Sequence, residues 1–238
     1  MPVLKKLTFA PLFLIVFVLL IYQLSDIFKS YDFIFSLSLN TLFQLIILCL
    51  SIFLSSFLFI LFSSLAFDWR FILTIGILAS LTPLMFFDQI TGLIFGVGIF
   101  VSLLISYFGL ENTMKSYITF QPITLFGPLI RHLSGLLIIA IAIVYFLVIN
   151  KTIVQKGFEL PDSLIKGVGE DQIQSFIKPF LGYVPFILAL LLFLTLQSLT
   201  SLINLLIYPL LLLTFFILEK TGFVKFTSEM RQIKKLVV

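Results

Sequence analysis

The sequence alternates between long runs of apolar residues and short polar breaks that hold most of its charges. Runs of this length suit transmembrane helices, which need about 20 apolar residues, whereas the strands of membrane barrels alternate apolar and polar positions over about 10 residues. The pattern predicts an all-α, polytopic transmembrane helical bundle with six or seven spans, which fills a single domain over residues 1–238. Its apolar segments are 9–24, 40–67, 71–87, 91–110, 134–149, 181–198 and 202–218.

The last two apolar segments decide the number of spans. Residues 181–218 carry no charge, and as one helix they would be roughly 57 Å long, against about 30 Å of hydrocarbon. The middle of this run, from Gln197 to Asn204, is its most polar part. A helical hairpin therefore fits best and gives spans six and seven, while a single long or broken helix gives six spans.

Two further segments are predicted to lie at the membrane surface. Residues 111–132 contain Pro122, Gly127 and Pro128, which disfavour one continuous helix. Residues 151–179 are the longest polar stretch, and their apolar positions after Pro161 approximate a helical period. That pattern predicts an interfacial amphipathic helix. A basic tail, 219–238, follows the last apolar segment.

Composition supports a lipid environment, and the placement of charge predicts an orientation. Hydrophobic residues make up 61% of the chain and charged residues 11%, with a mean hydropathy of +1.23, which is far more apolar than an ordinary soluble domain. Ten of the 15 Lys and Arg residues share the side of the C-terminal tail, either with seven spans starting outside or with six starting inside. The positive-inside rule then predicts a cytoplasmic tail in the cytoplasmic (inner or plasma) membrane.

Residues suited to catalysis or metal binding are scarce. Ionisable side chains fall at the ends of predicted spans, which argues against proton-coupled transport. His132 is the only histidine and Cys49 the only cysteine, and no Gly-x-Ser-x-Gly, Walker A or His-Glu-x-x-His motif occurs. We predict no catalytic residue, no metal, no cofactor and no nucleic-acid partner. The expected partners are the lipid bilayer and other membrane proteins or a second copy of the chain.

Three sets of residues are candidates for a functional or packing role. Arg131 and His132 open a predicted span, where they suit an anionic lipid headgroup. Two small-residue pairs at a spacing of four allow close helix packing: Gly92 with Gly96, and Gly76 with Ser80. The third set is a polar cluster at membrane depth if residues 181–218 do not form a hairpin; its members are Gln197, Ser198, Thr200, Ser201 and Asn204, with Asn40 and Gln44 facing them.

Three functional hypotheses follow from these observations. The scarcity of reactive residues, the amphipathic segment and the basic tail favour a non-catalytic membrane subunit or scaffold. The number of spans and the uncharged polar patches fit a transporter or channel for an apolar or zwitterionic solute. A lipid-active membrane enzyme would need several interfacial charges on one face, drawn from Asp68, Asp88, Glu111, Arg131 and His132.

Overall fold

Helices account for nearly all of the described chain. The computed structural model describes residues 8–28, 38–117, 120–156 and 182–224, and every regular element within those ranges is helical. Two short 3-10 helices, Thr82–Met85 and Asn204–Leu206, extend α3 and join α6 to α7. The α-helices are α1 (Phe9–Ile27), α2 (Leu39–Ala66), α3 (Trp69–Leu81), α4 (Gln89–Ser116), α5 (Pro122–Lys156), α6 (Val184–Ile203) and α7 (Ile207–Lys220).

The polar breaks of the sequence become helix caps. The Ser38 hydroxyl accepts a hydrogen bond from the backbone N–H of Thr41 at 3.2 Å and so begins α2. The Asp68 carboxylate accepts from the N–H of Arg70 at 3.1 Å and begins α3. Side-chain oxygens at these positions satisfy N–H groups that have no partner inside the helix. Short polar breaks between apolar runs therefore fix where the helices start.

Five helices are long and apolar enough to cross a membrane: α1, α2, α4, α5 and the helix formed by α6 and α7 together. The segment Trp69–Met85, which contains α3, is apolar but shorter. Within the most apolar window of α2, 72% of the residues are buried, whereas in the α6–α7 helix only 22% are. Thus α2 lies at the centre of the bundle, and the α6–α7 helix lies at its edge.

Both ends of the described chain lie at the same end of the bundle. The ring of Phe9, at the start of α1, meets the ring of Phe223, just after α7, in an edge-to-face contact of 6.2 Å. At the opposite end, Phe28 follows α1 and contacts Tyr145 of α5 with ring centroids 5.2 Å apart.

The hairpin predicted for residues 181–218 is wrong. The backbone from Ile203 through Leu206 to Ile207 keeps right-handed helical angles and does not reverse, so Val184–Lys220 is one helix of 37 residues with a 3-10 segment inside it. Pro209 explains the 3-10 segment, because its ring clashes with the carbonyl four residues earlier and tightens the preceding turn. The predicted segments 181–198 and 202–218 therefore belong to a single element.

The surface connector predicted for residues 111–132 is also mostly helical. Helix α4 continues to Ser116, and α5 begins at Pro122 and passes through Pro128 without ending. Tertiary packing on both sides supports this turn of α5, since a Cβ on Gly127 would lie 3.7 Å from Ile207. The amphipathic helix predicted within 151–179 lies outside the described residues beyond the end of α5, as does the tail from 225 on.

Candidate functional site

The small-residue pairs bring α3 and α4 together. A Cβ on Gly96 would overlap the carbonyl oxygen of Ser80, and one on Gly92 would lie 3.2 Å from the Cα of Leu84. On the same interface, Gly76 has room, with Phe100 at 3.8 Å. Gly92 and Gly96 thus let the backbone of α4 reach the backbone that ends α3, within one chain.

The predicted polar cluster does not form one site. Asn40 and Gln44 are exposed near the start of α2, and Thr200 is buried beside the Cys49 thiol, which lies 3.9 Å from the Leu196 carbonyl. Helices α2 and α6 run in the same direction at that contact. Asn40 lies about 14 Å before it along α2, and residue 204 lies about 12 Å past it along α6. The two parts of the cluster therefore occupy different ends of the bundle.

The exposed members of the cluster on α6 make no hydrogen bond to another of the described helices. Gln197, Ser198 and Ser201 lie on the outer face of α6. The Ser201 hydroxyl donates to the Gln197 carbonyl of its own helix at 2.7 Å. This local hydrogen bond is the usual way a serine in an apolar helix satisfies its donor. Of the predicted set, Thr200 and Asn204 are the members that face the protein.

Charged groups mark the two ends of α4 and α5. Lys151 pairs with Asp88, the cap of α4, at 3.4 Å. Burial raises the pKa of the Asp88 carboxyl, but hydrogen bonds from Thr91 and the charge of Lys151 lower that pKa by more, so it lies below its ordinary value. Arg131 lies about 30 Å from Lys151 along α5, which matches the thickness of the hydrocarbon core. The two cations thus fall at opposite headgroup layers.

A cavity of about 350 Å³ lies beside Arg131, in the groove between α5 and the α6–α7 helix. We call it the Arg131 cavity. It is lined by Ile123, Thr124, Gly127, Pro128, Arg131, Asn204, Leu205, Ile207 and Tyr208. The cavity brings together Arg131, a predicted headgroup contact, and Asn204, a member of the predicted polar cluster. His132, the next residue along α5, is exposed and does not line the cavity.

Two polar side chains of the Arg131 cavity lack partners within the described part of the chain. Asn204 Oδ1 is buried and has no hydrogen-bond partner there. The exposed guanidinium of Arg131 has no carboxylate within 4 Å among the same residues. A buried amide oxygen without a partner costs on the order of 1–3 kcal/mol. The site therefore combines one cation with one buried, unpartnered acceptor, a combination suited to binding a polar group.

Three buried serines escaped prediction from the sequence. Ser55 and Ser63 of α2 and Ser106 of α4 have buried hydroxyls with no partner among the described residues. Their neighbours Ser56 and Ser102 instead donate to carbonyls of their own helices at 2.9 and 2.7 Å. The sequence does not distinguish these five serines, because any helical serine can make that local hydrogen bond. Only the side-chain rotamer separates the two groups.

The acidic residues do not gather at one place. Asp88 and Glu111 lie at opposite ends of α4, about 34 Å apart along its axis. Glu111 instead pairs with Lys115 on the next turn of the same helix. In the residues that the structure describes, no group of three His, Cys, Asp or Glu side chains could hold a metal ion. The described acids therefore cannot all serve a single lipid-active site.

These features define the chain as an all-helical bundle of the membrane type, with five helices long and apolar enough to cross a bilayer. Comparisons with protein-family models, with curated proteins and with solved structures gave no match. The functional argument therefore rests on the geometry of the bundle itself. Its two distinguishing features are the Arg131 cavity and the sparsely covered α6–α7 helix.

Proposed function

We propose that the protein is a non-catalytic membrane subunit or scaffold that holds another membrane protein against the α6–α7 helix. One observation carries this proposal: the α6–α7 helix is 37 residues long, and only 22% of its most apolar window is buried. The helix is the edge of the bundle. Its outer face carries many of the large hydrophobic side chains that the rest of the described chain leaves exposed.

The length of this helix exceeds what lipid can cover. At 1.5 Å per residue it measures about 55 Å, against about 30 Å of hydrocarbon. A tilt of about 40°, the upper end for membrane helices, accommodates about 39 Å. Some apolar surface therefore extends beyond the lipid tails. The α7 part does not fold back into the interface, because Phe215 packs on Phe126 of α5 with ring centroids 5.5 Å apart. A helix of a second protein would cover this surface.

Photo-crosslinking tests this proposal in native membranes. A photoreactive amino acid in place of Leu213, which is 55% exposed on α7, should form an adduct with one defined membrane protein. The same group in place of Ile15, 59% exposed on α1, is the matched control and should yield only lipid adducts. Equal protein adducts at both positions, or none at Leu213, would refute the proposal. Mixing two differently tagged versions of the chain tells a partner protein from a second copy.

We propose further that the chain crosses the membrane six times with both termini in the cytoplasm. The contact between Phe9 and Phe223 supports an even number of crossings, and Trp69–Met85 supplies the sixth beside the five longer helices. This arrangement puts ten of the 15 Lys and Arg residues on the cytoplasmic side, in keeping with the positive-inside rule.

Cysteine labelling tests this topology, because Cys49 is the only native cysteine. In a Cys49→Ala background, we expect Asn150→Cys to react with a membrane-impermeant maleimide added to intact cells. Gln121→Cys and Thr221→Cys should react only after the membrane is opened. Labelling of Thr221→Cys in intact cells, with Gln121→Cys still protected, would mean that the number of crossings is odd.

A transporter or channel for an apolar or zwitterionic solute is the second candidate. The observations in its favour are the buried hydroxyls of Ser55, Ser63 and Ser106, which have no partner in the described part of the chain, and the interruption of a long apolar helix at Asn204–Leu206. Interrupted helices line substrate sites in many transporters. Solute or ion flux in proteoliposomes above that of empty liposomes would favour this candidate over the scaffold, and its absence would remove it.

A further inference from the structure

The Arg131 cavity has the position and the charge of a lipid headgroup site. The guanidinium of Arg131 is exposed and has no carboxylate partner in the described ranges. Arg131 lies about 30 Å along α5 from Lys151, so the two reach opposite headgroup layers of a bilayer. Lys151, by contrast, is already paired with Asp88 at 3.4 Å. The uncompensated charge at the cavity attracts an anion, and a guanidinium matches the oxygens of a phosphate bidentately.

The buried polar atom of the cavity that lacks a partner is an acceptor. Asn204 Oδ1 is buried and has no hydrogen-bond partner among the described residues. A phosphodiester has no donor for this atom, so a phosphodiester alone leaves it unsatisfied. A ligand with a hydroxyl group next to its phosphate satisfies both residues, since its phosphate accepts from Arg131 and its hydroxyl donates to Asn204 Oδ1.

The charge and the acceptor of the site also discriminate between the common phospholipid headgroups. A choline group carries no donor, so phosphocholine leaves Asn204 Oδ1 unpaired. The ammonium of an ethanolamine headgroup supplies donors but brings a second positive charge close to the guanidinium of Arg131. A glycerol headgroup carries hydroxyl donors and leaves the lipid with a net negative charge. Apolar residues beside the polar ones, such as Ile123 and Ile207, suit the start of the acyl chains.

We propose that the Arg131 cavity binds the headgroup of an anionic phospholipid that carries hydroxyls next to its phosphodiester, as phosphatidylglycerol does. Arg131 holds the phosphodiester, and Asn204 Oδ1 accepts a hydrogen bond from a headgroup hydroxyl. This site is independent of the subunit function proposed above, because it occupies the groove between α5 and the α6–α7 helix and not the outer face of α7.

Native mass spectrometry of the full chain in detergent micelles tests the proposal with three lipids of equal acyl chains. Phosphatidylglycerol should bind most tightly. Phosphatidylmethanol has the same phosphodiester charge without hydroxyls and should bind more weakly, and phosphatidylcholine should bind weakest. Equal binding of phosphatidylcholine and phosphatidylglycerol to the unaltered protein would overturn the proposal. Free glycerol 3-phosphate is the soluble competitor: if it displaces the lipid at equal concentration, the site serves a soluble phosphate ester and the lipid assignment is wrong.

Two pairs of variants assign the roles of the residues. Arg131→Gln should lower the affinity for phosphatidylglycerol about ten-fold or more, because it removes charge-assisted hydrogen bonds. Arg131→Lys keeps the charge and should have an intermediate affinity. Arg70→Gln removes a cation at the same end of the bundle and is the matched control, with no loss expected. Equal binding by Arg131→Gln and Arg70→Gln would refute the assignment of Arg131.

The role of Asn204 is tested through the preference for phosphatidylglycerol over phosphatidylmethanol. A variant that does not fold would lose the binding of both lipids and would not change this preference alone. The affinity of Asn204→Leu for phosphatidylglycerol should fall to its affinity for phosphatidylmethanol, because only the hydroxyl contacts are lost. Its affinity for phosphatidylmethanol should equal that of the unaltered protein. Ser201→Leu, one turn earlier on the exposed face of α6, should keep the preference for phosphatidylglycerol. An unchanged preference in Asn204→Leu would remove Asn204 from the site. Thermal unfolding of each variant confirms that the compared proteins are folded.

Discussion

Gly96→Ala is expected to destabilise the protein by about 2–3 kcal/mol, although the same change stabilises an exposed helix by up to about 1 kcal/mol. The added methyl group would occupy the position of the Ser80 carbonyl oxygen. Backbone cannot yield as a flexible side chain does, so α3 and α4 would have to separate, and overpacking of this kind costs roughly 1–3 kcal/mol or more. Trp69, the only tryptophan, begins α3, so its fluorescence during unfolding by SDS or heat reports this separation.

Two other glycines are matched controls for the Gly96 substitution. A Cβ on Gly135, within α5, meets nothing within 4 Å, so Gly135→Ala should be neutral or slightly stabilising. Gly76→Ala lies on the same α3–α4 interface with ordinary van der Waals room and should be tolerated. If Gly96→Ala unfolds no earlier than Gly135→Ala, then α3 and α4 are not in direct backbone contact, and the packing described for this interface is wrong.

Phe215→Ala is expected to release α7 from α5 at a cost of about 3 kcal/mol. The Phe215 ring is 6% exposed, stacks on Phe126 with an interplanar angle of 8° and meets Phe120 edge to face at 5.3 Å. Removal of the ring leaves a cavity between the two helices. Hydrogen exchange measured by mass spectrometry should then become faster over residues 207–220 and remain unchanged in α2.

The neighbouring aromatic residue is the control for Phe215. Phe216 is 60% exposed on the outer face of α7, so Phe216→Ala removes a ring of the same size without opening a cavity. Its exchange over residues 207–220 should match that of the unaltered protein. Equal acceleration by the two substitutions would show that α7 is not held by the aromatic contact with α5. Because Phe216 lies on the proposed partner face, the comparison is made on the purified chain.

The membrane class could be predicted from the sequence because it depends on local hydrophobicity. An uncharged run longer than the hydrocarbon thickness has few alternatives to a helix, since its backbone groups must pair within the segment. The helix starts were predicted less well: the fifth span was placed at 134–149, whereas α5 begins at Pro122. The spacing of Gly92 and Gly96 indicated close packing before the partner backbone at Ser80 was known.

The prediction of a hairpin is wrong because it depended on a local pattern alone. The polar residues from Gln197 to Ser201 favour a solvated turn when only their neighbours in sequence are considered. In the structure, α5 packs against the α6–α7 helix from Ala189 near one end to Phe215 near the other. Exposed polar side chains in such a helix bond to their own carbonyls, as Ser201 does, and no turn is needed to satisfy them. Packing against a long neighbour therefore decided the continuity of the helix.

The sequence by itself determined that this is a helical protein of the membrane type, and that its charges lie at the ends of the apolar runs. Those properties follow from hydrophobicity along the chain. Only the tertiary structure decided that Arg131 and Asn204, far apart in the chain, share one cavity. It also decided that Asn40 and Gln44 lie away from Asn204. Such pairings depend on the direction and register of packed helices, which no local pattern in the chain specifies.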